Sequence, residues 1–412
     1  MGSIAVFVLA CSGQPEDTVP SIGNSGSGAV GSAGGSGGDA GSAASGGGGA
    51  FGKAGRSGAS GGSGSAAGSS SGSGGTGGVS GTAGTFGGEG GSSGATGGAG
   101  LAAGAGRAGS AGAPGAAGAS SGGPTIGGCA VFPAEDPWNQ DVSDAVADPV
   151  WTTRLLSMVG DARIHPDYGG DASELYGIPI GVVPVDQPLL DVTFDWWPEE
   201  SDPGPYPFPS PGDALIEGGN PAECDGDCHL LVVQQGTCEL FEGYACYYED
   251  GWHCGNGARW DLTQPSYGQR PKGWTSADAA GLAIAPGIVR YDEVRAGQVN
   301  HAIRFTTSCT SASFVSPATH LAVPGGCEGD LNAPPMGLRV RLKADFDIAS
   351  FSESARVVLT AMKRYGMILA DNGSDFYFQG EAHLGWTDEE LDDLKSVPAS
   401  AFEAVAVPPL EQ

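Results

Sequence analysis

The sequence predicts a mainly β protein: a sandwich or jelly-roll-like single domain with a few packed helices, after a long disordered segment rich in Gly and Ser. Three observations carry this. Short runs of alternating apolar and polar residues recur in the C-terminal part, as in strands buried on one face. Pro- and Gly-rich loops separate them, with few helical repeats between. Composition also changes abruptly at Cys129: Gly, Ser, Ala and Thr dominate before it, and all eight tryptophans and six histidines follow it.

Residues 1–11 read as a signal or lipobox remnant. Ile4 to Ala10 is an apolar run, too short to span a bilayer and suited to the hydrophobic part of a signal peptide. Val8-Leu9-Ala10-Cys11 looks like a lipobox, which would make Cys11 the lipidated residue, although no Lys or Arg precedes the run. Residues 12–128 cannot bury enough apolar surface to offset the cost of ordering a backbone. They lack a Gly-X-Y period, which excludes collagen. As a flexible tether they would reach roughly 60 Å. Residues 129–412 form the expected globular head. The formal charge of −29 argues against nucleic acid or anionic lipid as partners. The expected location is extracytoplasmic, as a lipoprotein at the cell surface or outer membrane or as a secreted protein. The lipid anchor would be its only membrane contact and the head a monomer.

Within the head, Trp151 to Met158 has helical spacing. Tyr176 to Val185, with two prolines, reads as an edge strand. Asp191 to Trp197 alternates, with Val192, Phe194 and Trp196 on one face. Glu199 to Pro211 is a proline-rich loop. Leu230 to Gln234 and Glu239 to Tyr248 read as strands. So do Ala312 to Val315 and Leu338 to Leu342. In His301 to Thr306, residues His301, Ile303 and Phe305 point one way and Ala302, Arg304 and Thr306 the other. Ser350 with Glu353 and Thr387 with Glu390 mark two capping boxes. Met367 to Ala370 and Phe376 to Phe378 read as strands joined by a turn at Asp371 to Ser374.

With Cys11 lipidated, eight of the nine cysteines remain, an even number that reads as disulfides in an exported chain. Cys246–Cys254 and Cys309–Cys327 each close one local loop. Cys224 and Cys228, beside Asp225, Asp227 and His229, could ligate zinc, but their spacing matches no strong zinc pattern.

No G-x-S-x-G elbow, HExxH, P-loop or dinucleotide fingerprint is present. The chemistry must lie in polar residues at strand ends and loops. A glycosidase needs two carboxylates, one of them kept protonated. Asp202, Glu217, Asp278 and Asp371 sit among aromatic or Gly/Pro-rich neighbours, and Asp292, Glu293 and Asp375 are further candidates. Trp196, Trp252 and Trp274 could stack on sugar rings, with His253 beside them. His301 and Arg304 would orient the substrate. In a lyase version, His301 or His253 would take the proton next to a sugar carboxylate and Arg304 would neutralise it. Arg304, Arg339 and Arg341 could equally be internal ion pairs. A polysaccharide is thus the expected partner, and a hydrolase or lyase the leading function. Two alternatives stand beside it: a non-catalytic glycan-binding or adhesion module, and a metal-dependent site built from His229, His253 and His301. No cofactor is implied, although the Asp-rich turns could hold calcium.

The phrases DPWNQDVS, YGIPI, ESDPGPYPFP, GWTSADAAGL, PGIVRYDEV, HAIRFT, PPMGLRVRLKADFDI and KRYGMILADNGSD run from Asp136 to Val405. They resemble a family of secreted or lipid-anchored proteins of myxobacteria and actinobacteria. The resemblance implies export and a single-domain head, with no activity attached. It draws attention to the polar residues inside those phrases: Asp202, Asp278, Asp292, Glu293, His301, Arg304 and Asp371.

Overall fold

The computed structural model describes residues 122–412, apart from 172–173 and 223–225, and the backbone alone at 171, 174 and 175. Cys11 and the tether up to residue 121 lie outside the described residues. The head begins before Cys129, because β1 (Thr125–Ile126) pairs with β2 (Cys129–Ala130) and Ile126 is buried.

Strands dominate. The chain continues through α1 (Pro149–Val159), β3 (His165–Asp167), β4 (Gly169–Asp171), β5 (Glu174–Tyr176), β6 (Ile180–Val183) and β7 (Val192–Phe194). Then come β8 (Leu230–Gln234), β9 (Glu239–Tyr244), β10 (Tyr247–Tyr248), β11 (Trp252–Cys254) and β12 (Asn256–Asp261). The last part holds α2 (Tyr291–Arg295), β13 (Ile303–Thr307), β14 (Arg339–Leu342), α3 (Glu353–Arg364), β15 (Met367–Asn372), β16 (Tyr377–Gln379), α4 (Asp388–Leu394) and β17 (Phe402–Ala404). The largest sheet has six strands in the order β17-β14-β15-β13-β16-β3; a second has four, β12-β9-β8-β6, and a third three, β10-β11-β7. Both larger sheets are mixed, with β13 parallel to β15 and β6 parallel to β8.

β13 is an inner strand of the six-stranded sheet, and all five of its residues are buried. A strand covered on both faces reads as a continuous apolar run, so the polar side chains on this one need partners inside the protein. The expected turn between the strands at Met367 and Phe376 is a crossover instead: β13 lies between β15 and β16. Ala312 to Val315 forms only isolated bridges, at Phe314. The cap of α3 is Ser352, whose hydroxyl accepts from the Ala355 amide at 3.3 Å, rather than Ser350. Gly366, with φ of 73°, ends that helix in the left-handed region as its position predicts.

Disulfides fasten the head, with Cys129–Cys238, Cys246–Cys254 and Cys309–Cys327 among the described residues. Cys228 is also disulfide-bonded and so offers no thiolate to zinc, while Cys224 lies outside the described residues. Such bonds belong to an oxidising compartment. Among the described residues no helix is long and apolar enough to cross a membrane.

Candidate active site

Glu217 and His229 are fastened to each other three times. The Glu217 amide donates to the His229 carbonyl at 3.0 Å, the His229 amide donates to Glu217 Oε2 at 3.3 Å, and His229 Nδ1 lies 2.6 Å from that same oxygen. His229 Nε2 lies 3.2 Å from the carbonyl oxygen of Ala277. A carboxylate and a carbonyl are both acceptors, so both ring nitrogens carry hydrogen and the imidazole is charged. Burial opposes that charge, but Glu217 outweighs it and the His229 pKa rises to about 9. Glu217 responds in the opposite sense. Burial pushes its pKa up, yet the charge and hydrogen bonds of His229 hold it below the ordinary glutamate value.

Next to Ala277, Asp278 is buried and its Oδ1 accepts from Arg304 Nη2 at 2.7 Å. Arg304 comes from β13, all of whose residues are buried. The same Nη2 lies 3.6 Å from Asp371 Oδ2 on the adjacent strand β15. Burial, reinforced by the negative charge of Asp278 and only partly offset by Arg304, raises the Asp371 pKa to about 7. The loop carrying Asp278 is pinned on several sides. Ser276 Oγ accepts from the Asp278 amide at 3.0 Å and donates to the Leu282 carbonyl at 2.6 Å. The Ala280 amide reaches the Ala370 carbonyl, one residue before Asp371, at 2.9 Å.

Exposure separates the layers of this cluster. The side chains of Glu217 and Asp371 are 27 % and 25 % exposed, whereas those of His229, Arg304 and Asp278 are 3 % or less. Two carboxyls therefore face solvent over a buried ionic floor, and their environments push their pKa values apart. A general acid and a general base need such a split. An aromatic wall adjoins them. The Tyr244 ring lies 5.7 Å from His229 and 5.7 Å from Trp196, and Trp197 stands edge-on to Trp196. Trp196 is 53 % exposed, and its ring is seated over Gly255, where a side chain would collide with it.

Of the expected site residues, Glu217, Asp278, Arg304 and Asp371 come together, with Trp196 beside them. Asp202 is placed elsewhere: it pairs with Arg270 at 2.7 Å, and Arg270 holds the Thr275 carbonyl, so Asp202 props the loop that carries Asp278. His301 is fully buried, with Nε2 3.0 Å from Glu293 and Nδ1 2.8 Å from the Ala302 carbonyl. Trp252 is core at 1 % exposure, and Trp274 is half-buried beneath the Arg270 guanidinium. His253 stacks on Tyr247 and faces Asp195. The three histidines of the metal alternative thus have three separate sets of partners. Among the described residues no group of three or more His, Cys, Asp or Glu is arranged to hold a metal. Arg341 pairs with Glu403, and Arg339 donates to the Pro137 carbonyl, so neither waits for an acidic sugar. Sequence reasoning missed His229 as the partner of Glu217, and missed Tyr244. No local spacing links these residues, which meet only through the pairing of the strands.

No protein-family model matches the chain, and neither a curated protein nor a solved structure matches it.

Proposed function

We propose that the head is a glycoside hydrolase acting on an extracellular polysaccharide, with Asp371 as general acid and Glu217 as general base. The observation that carries this reading is the pair of part-exposed carboxyls with opposed pKa shifts, Asp371 raised to about 7 and Glu217 lowered. Asp371 gives its proton to the glycosidic oxygen as the bond from that oxygen to the anomeric carbon breaks. Glu217 takes a proton from the water whose oxygen forms the new bond to that carbon. Atoms and charge balance: one water is consumed, Glu217 releases the proton it gained to solvent, and solvent restores the one lost by Asp371. Trp196, Trp197 and Tyr244 supply apolar ring faces for the sugar. The same reading has the chain exported, with Cys11 lipidated and residues 12–128 as the tether.

The geometry favours hydrolysis over elimination. The lyase version needs an unprotonated base, His301 or His253, beside a cation free to neutralise a uronate. His301 is sealed behind Glu293, His253 stacks on Tyr247 and faces Asp195, and Arg304 is committed to Asp278.

The test is to incubate the disulfide-bonded protein with a panel of polysaccharides and read reducing ends alongside the absorbance of unsaturated sugars. We expect reducing ends without unsaturated product. Asp371→Asn and Glu217→Gln should each lower the rate by about 10²–10⁴-fold, the range for losing a general acid or base. Unsaturated product, or full activity in both variants, would sink the assignment.

A further inference from the structure

The face of the six-stranded sheet that carries Asp371 does not end there. Thr306 of β13 is the register partner of both Asp371 on β15 and Tyr377 on β16, and Tyr377 is in turn the partner of His165 on β3. Register partners across a sheet share a face, so Asp371, Thr306, Tyr377 and His165 form one row. Three strand spacings of ~4.8 Å make that row about 14 Å long. At its far end the rings of His165 and Tyr377 are stacked, with centroids 4.2 Å apart.

Two residues along the strands lies a second row on the same face, with Gln379 opposite Asp167. Gln379 Nε2 lies 3.4 Å from Asp167 Oδ2, and the hydroxyl of Tyr176 donates to Asp167 Oδ1. Tyr176 is 54 % exposed although its hydroxyl is tied down. Anchoring a large ring while leaving it in water costs side-chain entropy and buries little. Its hydroxyl pKa is raised by burial and by the hydrogen bond to Asp167, which fixes the ring at the end of this second row. Gln379 Oε1 and His165 Nδ1 are buried without a partner. Such orphaned atoms mark a place where a bound hydroxyl or water completes the hydrogen bonding.

We infer that the sugar-binding surface continues from Asp371 across β16 and β3 to Tyr176, and that this extension binds further sugar residues of the same polysaccharide chain. Tyr244 packs beside His229, the partner of Glu217, with Trp196 and Trp197 next to it, while Tyr377 comes from the six-stranded sheet and Tyr176 from the two-stranded β4–β5 pair. The scissile bond then lies between two sets of sugar-binding rings, and the enzyme cuts inside a chain rather than at its end. This inference rests on the hydrolase reading.

The experiment follows the viscosity of a polysaccharide solution against released reducing ends, for the wild type and Tyr176→Ala, with binding measured separately by depletion of protein on the insoluble or immobilised polymer. Tyr176 is a surface ring, so its removal leaves the core intact. Internal cutting should collapse viscosity while few reducing ends have appeared. Tyr176→Ala should raise KM on the polymer about five- to tenfold with kcat within about twofold, since ring-stacking contacts are worth ~1 kcal/mol. It should leave cleavage of the shortest oligosaccharide substrate unchanged. Viscosity falling only in step with reducing ends, or a Tyr176→Ala variant with wild-type KM on the polymer, would overturn the extended surface and leave the hydrolase standing. If the wild type binds a polymer without cutting it, the hydrolase reading falls; loss of that binding in Tyr176→Ala would still support the extension, and retained binding would remove it. Neither binding nor cleavage across the panel would overturn both.

Discussion

At the scale of single residues, Asp278 has the most to test. It is fully enclosed, so it cannot touch a substrate, yet it holds Arg304 Nη2 at 2.7 Å while the same nitrogen stands 3.6 Å from Asp371. Asp278 therefore sets how much positive charge Asp371 feels. Replacing it with Asn removes a neighbouring negative charge and releases Arg304 toward Asp371. Both changes favour the ionised form of Asp371, so its pKa should fall from about 7 by roughly one unit or more. In the wild type, kcat/KM should decline as pH rises through about 7, and in Asp278→Asn that decline should begin at lower pH. Carboxyl titration of Asp371 by NMR reads the same shift without any substrate. An unmoved titration in a folded variant would remove Asp278 as a tuning residue. The sequence already offered Glu217, Asp278, Arg304 and Asp371 as polar residues at strand ends and turns. It could not rank Asp202 and His301 below them, because burial and partner choice decide that. Asp202 meets Arg270, and His301 meets Glu293, by tertiary packing alone.

At the scale of elements, the strands most clearly legible were those whose burial pattern follows their alternation or their apolar run. β14 alternates as Arg339 to Leu342 implies, and β8, an apolar run up to Gln234, is buried throughout. β12, which reads NGARWD, escaped notice because glycine and charge break its pattern; its place is fixed by six register pairs with β9. The link between β15 and β16 looked like a hairpin because Asn372-Gly373 is a common turn pair, and no local signal reveals that β13 slots between them. Long-range fastening was equally hidden. Cys129–Cys238 has a sequence separation of 109 and ties β2 to the end of the β8–β9 turn. Closing a loop of that size restrains the unfolded chain by about 4–5 kcal/mol in the chain-entropy account. The Cys129→Ala/Cys238→Ala variant should therefore unfold at markedly lower denaturant than one lacking Cys246–Cys254, whose separation is 8. Equal losses from the two variants would mean that local strain or packing, rather than loop closure, sets their contributions.

For the whole molecule, net charge and the ionic cluster together govern the response to pH. The chain carries a formal charge of −29, which grows more negative as pH rises and opposes compactness. The cluster acts in the same direction on the alkaline side. His229, raised to about 9, binds its proton more tightly in the folded state. Its contribution is complete below the ordinary histidine value of ~6.5 and is lost as pH rises through about 9. Asp371 is also raised, to about 7, so its proton likewise favours the fold at low pH, and that contribution fades between ~3.9 and about 7. Glu217 works the other way. Its lowered pKa stabilises the fold above the ordinary glutamate value and is lost as pH falls through the lower one. Thermal unfolding of the disulfide-bonded protein should thus show Tm declining between pH ~6.5 and about 9. In Glu217→Gln the neutral amide no longer holds the imidazolium, so His229 should titrate near or below its ordinary value. The decline between neutral and alkaline pH should then flatten, from a lower starting Tm. If Tm falls equally steeply in the variant, net charge rather than the Glu217–His229 pair controls alkaline stability. The pair would then serve only to keep Glu217 ionised.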